Sequence, residues 1–160
     1  MNTQVIMVQI GERQWTMDAL HAACVLARRT SAKIALVLMV PVQHASWLGT
    51  DWGYATLPAE VKGAFADYQA TIEDYGLDCV PTLFQYVTWV EGTLQAAAQV
   101  DARIVFVPEP HSHLPLWTRF QRWMMRRQFA RQGRDWAAPS YPRVAVEADE
   151  VKQFQSVSTP

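Results

Sequence analysis

The sequence predicts an α/β domain: a doubly wound, open, parallel five-stranded sheet with helices on both faces. Three observations predict it. Short apolar runs and amphipathic helical stretches alternate along the chain, giving β-α-β-α-β-α-β-α-β. The run from Ile34 to Val40 is continuously apolar rather than alternating, as a strand covered on both faces is. A length of 160 residues, half of them hydrophobic, suits one domain with a core of its own. Right-handed crossovers turn that order into the sheet.

The first strand is Val5-Ile6-Met7-Val8-Gln9-Ile10, ending at Gly11. From Thr16, a candidate N-cap with Asp18 in the first turn, the residues Met17, Leu20, Ala23, Cys24 and Ala27 recur at three- and four-residue spacing and predict a helix. Strand two covers 33–40 and stops at Pro41, and a loop over 43–57 carries Trp47, Leu48, Trp52 and Tyr54. Pro58 suits a first helical position, Val61, Ala64, Phe65, Tyr68 and Ile72 form the next apolar stripe, and Gly76 suits the helix end. Strand three spans 77–86, and its Pro81 favours a sheet edge. A helix over 88–100 with Val90, Leu94 and Ala97 inward precedes strand four at 103–107. A long helix over 115–133 turns Trp117, Phe120, Trp123 and Met124 to the sheet, with a solvated distal end. Strand five is expected at 143–147, so that one domain fills 1–147 and 148–160 form a polar tail.

Charge is unevenly placed. Residues 111–136 hold six arginines against Asp135 alone, while residues 1–110 carry six basic and eleven acidic side chains. A local basic segment on an acidic domain suggests an anionic or protein partner, although no nucleic-acid motif accompanies it. Cys24 and Cys79 lack metal-type spacing and read as buried small hydrophobes. With no leader-like N-terminus and no apolar run of membrane-spanning length, a soluble cytoplasmic protein without a transmembrane segment is expected.

Several stretches resemble the universal stress protein family. They are Ala19 to Arg29, Ala35 to Pro41, Leu94 to Ala98, Asp101 to Val107 and Pro142 to Val146, and the resemblance as a whole covers about residues 3–147. The resemblance implies strand order 3-2-1-4-5, a role in stress response or regulation, and a homodimer joined through the closing strand, here Arg143, Val144, Ala145 and Val146. Nucleotide-binding members carry an aspartate before the glycine that ends strand one, and a Gly-x2-Gly-x9-Gly-Ser/Thr loop after strand four. Here those positions hold Ile10, then Pro108, His111, Gln121 and Arg122. Proline has no N–H to offer a phosphate, so the resemblance points to a member without the ATP loop, and no cofactor is expected.

Two rival readings keep chemistry near the same place. A small-ligand or nucleotide sensor would use a rebuilt anion site of Val40, Pro108, His111, His113, Arg119 and Arg122. A metal-dependent enzyme would use Glu109, His111 and His113, whose imidazoles and carboxylate suit zinc or another transition metal. No Ser-His-Asp, Cys-His or paired-carboxylate pattern stands out, so no catalytic residue is assigned. Trp47 and Trp52 are candidates for a partner-binding patch or a ligand pocket wall, or for folding down over the open end of the core to fill the space a nucleotide would occupy.

Overall fold

The computed structural model describes residues 4–49, 57–109 and 115–137. Strand β1 (Val5–Gln9) leads into helix α1 (Arg13–Thr30) and strand β2 (Lys33–Pro41). A 3-10 turn at Ala45–Trp47 is followed by helix α2 (Ala59–Asp74), strand β3 (Cys79–Tyr86) and helix α3 (Trp89–Gln99). Strand β4 (Ala102–Phe106), helix α4 (Pro115–Arg131) and strand β5 (Asp135–Ala137) complete the series. All paired strands run parallel, in the order β3-β2-β1-β4-β5. This is the class that the sequence pattern predicts and the strand order that the family resemblance implies.

Side-chain alternation along each strand divides the core into two layers. Ile6, Val8, Ile34, Leu36 and Phe106 meet Leu20, Cys24 and Ala27 of α1 and Tyr68 and Ile72 of α2. Met7, Val37 and Val105 point the other way, onto Ala96 and Ala97 of α3 and Met125 and Phe129 of α4. The apolar runs of β1, β2 and β4 are therefore buried on both faces. Pro81 lies in β3, paired with Leu36 at the sheet edge, where a residue without an N–H is tolerated.

The structure corrects three local expectations, on α1, the last strand and α4, and a smaller one at the start of α2. Helix α1 begins earlier than Thr16, because Glu12 caps it: its carboxylate accepts from the N–H groups of Gln14 and Trp15, both at 3.0 Å. Those two bonds hold the Glu12 carboxyl below its ordinary value. Thr16 instead lies fully buried in the first turn, its hydroxyl donating to Glu12 O at 2.8 Å and accepting from Gly11 N–H at 3.0 Å. Pro58, expected inside α2, stands just before it in the capping position.

The second correction concerns the sheet's last strand. The position beside β4 is filled by Asp135–Ala137, registered as Ile104 with Asp135 and Phe106 with Ala137. Gly133, at φ +67°, makes the reversal from α4 that a Cβ would strain. The stretch 143–147, with Arg143, Val144, Ala145 and Val146, lies outside the described residues.

The third correction turns α4 over. Met125 and Phe129 are its fully buried residues, whereas Leu116, Trp117, Phe120 and Trp123 are 79%, 53%, 47% and 54% exposed. The expected inward stripe of aromatics thus faces outward, and it is the distal half of the helix that anchors the sheet.

Both cysteines are free and sit in the layer under α1 and α2, Cys24 fully buried and Cys79 partly so. Burial pushes each thiol up to about 11, with Cys79 adding to the effect on Cys24 and Glu73 to that on Cys79. A raised folded-state pKa means that the unfolded chain ionises first. This stabilisation is complete below the ordinary value of 9.0 and disappears as pH rises toward about 11. Thermal melts should accordingly fall across that window more steeply for wild type than for a Cys24→Ala/Cys79→Ala variant. Parallel pH profiles for the two proteins would rule this out.

Candidate functional site

In an open doubly wound sheet, ligands bind outside the C-terminal ends of the strands where the winding reverses. The order β3-β2-β1-β4-β5 puts that point between β1 and β4. The chain there supplies Gln9, Ile10 and Gly11 after β1, and Val107, Pro108 and Glu109 after β4.

At the crevice the two strand ends pack on each other. A Cβ on Gly11 would come within 3.0 Å of Pro108 Cγ and 3.5 Å of the Trp15 ring, so the proline packs directly on the glycine backbone. Ile10, at the position of the family's aspartate, is partly buried against the α1 side of the core, and its N–H donates to Val37 O at 2.9 Å. The Trp136 indole N–H donates to Val107 O at 3.3 Å, which ties β5 to the end of β4.

Below the crevice lies a buried polar pair that the sequence pattern did not single out. The Thr93 hydroxyl stands 3.2 Å from Gln9 Oε1 and 2.8 Å from Trp89 O, with Gln9 2% exposed and Thr93 fully buried. A polar residue closing an otherwise apolar strand, with a threonine on a facing helix, was the available signal. The pair bridges β1 to α3, and satisfied buried hydrogen bonds of this kind fix one packing geometry.

The structure brings Arg122, named for a rebuilt anion site, together with Glu109, named for the metal set. The Arg122 guanidinium donates to Glu109 Oε2 in a half-exposed ion pair, so its charge is paired within the chain itself. Arg119 is exposed on the first turns of α4. Val40 is 2% exposed within β2, opposite Gln85 of β3. His111 and His113 lie outside the described residues, and with them the metal set they would form with Glu109. Among the described residues, no group of three or more His, Cys, Asp or Glu side chains is placed to hold a metal ion.

Trp47 stands edge-on to His44 with ring centroids 5.1 Å apart, and the loop is tied to β3 by Gly49 N–H donating to Gln85 Oε1 at 2.6 Å. Trp52 lies outside the described residues. Open depressions occur away from the switch point. One of about 460 Å³ lies near Gln4, Asp101, Arg103 and Arg134, and one of about 430 Å³ lies between Leu48, Phe84 and Gln99. Among the described residues, no helix is long and apolar enough to cross a membrane.

No family model matches the sequence, nor does any curated protein. Solved structures do match. A protein of the universal stress protein family from Burkholderia pseudomallei superposes with a TM-score of 0.59 at 19% identity, over 86% of this chain and 96% of that one. A universal stress protein in complex with cAMP gives 0.61 at 14% identity, over 84% and 94%. The universal stress protein from Archaeoglobus fulgidus in complex with dAMP gives 0.54 at 16% identity, over 85% and 97%. The whole described sheet, with its helices and strand order, is thus accounted for by one architecture: this chain has the universal stress protein fold.

Proposed function

We propose that the chain is a regulatory, stress-protein-like protein of the type without ATP, acting in the cytoplasm through dimerisation and binding of a partner. The observation that carries this reading is the contact of Pro108 with Gly11 at the switch point. Phosphate cradles on such folds need successive backbone N–H groups and room for the anion beside them. Proline supplies no donor, and its ring takes the space over Gly11. The pairing of Arg122 with Glu109 supports the same reading, because it spends the adjacent positive charge internally. The dimer is assigned to the β5 side of the sheet, with Arg143, Val144, Ala145 and Val146 as the segment proposed to pair.

The cAMP and dAMP complexes of the matching structures favour a second reading, a nucleotide or small-ligand sensor. In it, Arg119, His111 and His113 would take over the anion from the lost loop, with Val40 beside the base.

Calorimetric titration with Mg-ATP, paired with native mass measurement of the purified chain, tests both readings. The expected result is no one-site isotherm at micromolar affinity, and a mass twice that of the 18.2 kDa subunit with no added nucleotide or metal. A clear isotherm overturns the ATP-free reading in favour of the sensor. A mass of one subunit overturns the dimer, and a bound transition metal would restore the Glu109 enzyme reading.

A further inference from the structure

We propose that the outward face of α4 is a docking surface for anionic lipid bilayers, holding the protein at a membrane surface without crossing it. Leu116, Phe120, Trp123 and Arg127 recur at spacings of four, three and four, so they line one stripe of the helix, with Trp117 at its flank. Leu116, Trp117, Phe120 and Trp123 are all about half exposed or more. The aromatics form a ladder, with ring centroids 5.7 Å apart for Trp117 and Phe120 and 6.0 Å for Phe120 and Trp123. The Arg127 guanidinium continues it, 5.3 Å above the Trp123 ring.

Charge decides the occupant. Arg119, Arg126, Arg127 and Arg131 are exposed beside or within the stripe, and α4 contains no acidic residue. A second copy docked through the same face would set arginine against arginine, so self-pairing is disfavoured. The surface is the convex side of a single helix rather than a groove, which suits a planar, deformable partner. Tryptophan and phenylalanine settle at the boundary between headgroups and acyl chains, while arginine stems lie along it and place their charges among phosphates. Met125 and Phe129 hold the opposite side of the helix to the sheet. The stripe is therefore presented by a folded domain, and no segment has to fold on binding.

The assignment is independent of the nucleotide reading, since neither the ATP titration nor the subunit mass of the wild type bears on it. Vesicle co-sedimentation of the full chain tests it, using phosphatidylcholine vesicles with and without phosphatidylglycerol and heparin retention measured in parallel. Wild type should bind the phosphatidylglycerol vesicles, release them in high salt and ignore phosphatidylcholine alone. Arg119→Gln/Arg127→Gln/Arg131→Gln should weaken vesicle binding by about fivefold for each charge removed. Trp117→Ser/Trp123→Ser should weaken it by roughly tenfold or more while leaving heparin retention unchanged. Both variants should keep the wild-type thermal midpoint within a few degrees, as surface changes do. Failure of wild type to bind anionic vesicles overturns the proposal. So does equal vesicle binding by the tryptophan variant, which would reveal a purely ionic surface for a soluble polyanion or acidic protein. Loss of a dimer in the tryptophan variant would assign the face to self-association and overturn it equally.

Discussion

Phe129→Ala lowers the thermal midpoint by roughly 10 °C, whereas Phe120→Ala leaves it nearly unchanged. Phe129 is fully buried against the sheet layer that holds Met7, Val37, Val105 and Met125. Truncating a buried phenylalanine costs about 3–5 kcal/mol, from lost transfer energy and the cavity left behind. In a chain of this size, each kcal/mol moves the midpoint by roughly 2–4 °C. Phe120 is half exposed and gives up little core contact. Melting curves of the two variants thus measure which side of α4 meets the sheet. Equal shifts, or a larger one for Phe120→Ala, would refute the orientation described above.

The second large effect concerns two helical glycines of opposite consequence. A Cβ on Gly92 of α3 would stand 2.4 Å from Tyr86 Cβ and 3.3 Å from Met39 Cε, so the helix approaches β3 closely there because the glycine lacks a side chain. Gly92→Ala is expected to destabilise despite alanine's better helix propensity, and Gly92→Val more so. Overpacking of this kind costs about 1–3 kcal/mol or more, and Tyr86 Cβ is fixed to backbone and cannot swing aside. Gly63 of α2 is exposed, and an added Cβ would meet nothing within 4 Å. Gly63→Ala should therefore stabilise, by up to about 1 kcal/mol. Chemical denaturation of the two alanine variants should give shifts of opposite sign. A stabilised Gly92→Ala protein would show that α3 can retreat from β3 without loss.

The strands whose residues are apolar on both faces were readable because their pattern has one physical explanation. Val5 to Gln9 and Lys33 to Pro41 are such strands, and both form where the sequence puts them. Strand β5 was not readable. Asp135, Trp136 and Ala137 lack β-branched residues, and three residues are too few to show a period. Val144, Ala145 and Val146 carry the stronger local strand signal. Helix α4 was readable as a helix but not in its orientation. It has apolar residues on two sides, and the larger aromatics outweigh Met125 and Phe129 in any reading that ranks positions by hydrophobicity. A four-residue step between two apolar positions marks the inward side only when the outer side is polar.

The start of α1 failed for a related reason. Thr16 is a good capping residue by type, yet a glutamate just before the first helical residue can cap as well, and Glu12 does so. At the switch point, the departures from the family's nucleotide pattern were visible as Ile10 and Pro108. Their contacts were not, since only the folded backbone brings Pro108 onto Gly11. The Gln9–Thr93 pair is separated by 84 positions, and nothing local links the two residues.

Pro81 has a consequence for assembly. Ile34 N–H bonds Asp78 O and Val42 N–H bonds Tyr86 O, so even-numbered residues of β3 turn their polar backbone groups toward β2. The odd-numbered ones, Pro81 among them, face the open side. An incoming strand would meet a missing donor and a rigid ring midway along that side, next to the exposed Val80 and Leu83. A sheet open at both ends could add copies at each and grow into a filament. With one end spoiled by proline, copies that joined through the β5 end, as proposed above, would leave nothing further to extend, and growth would terminate at a closed pair.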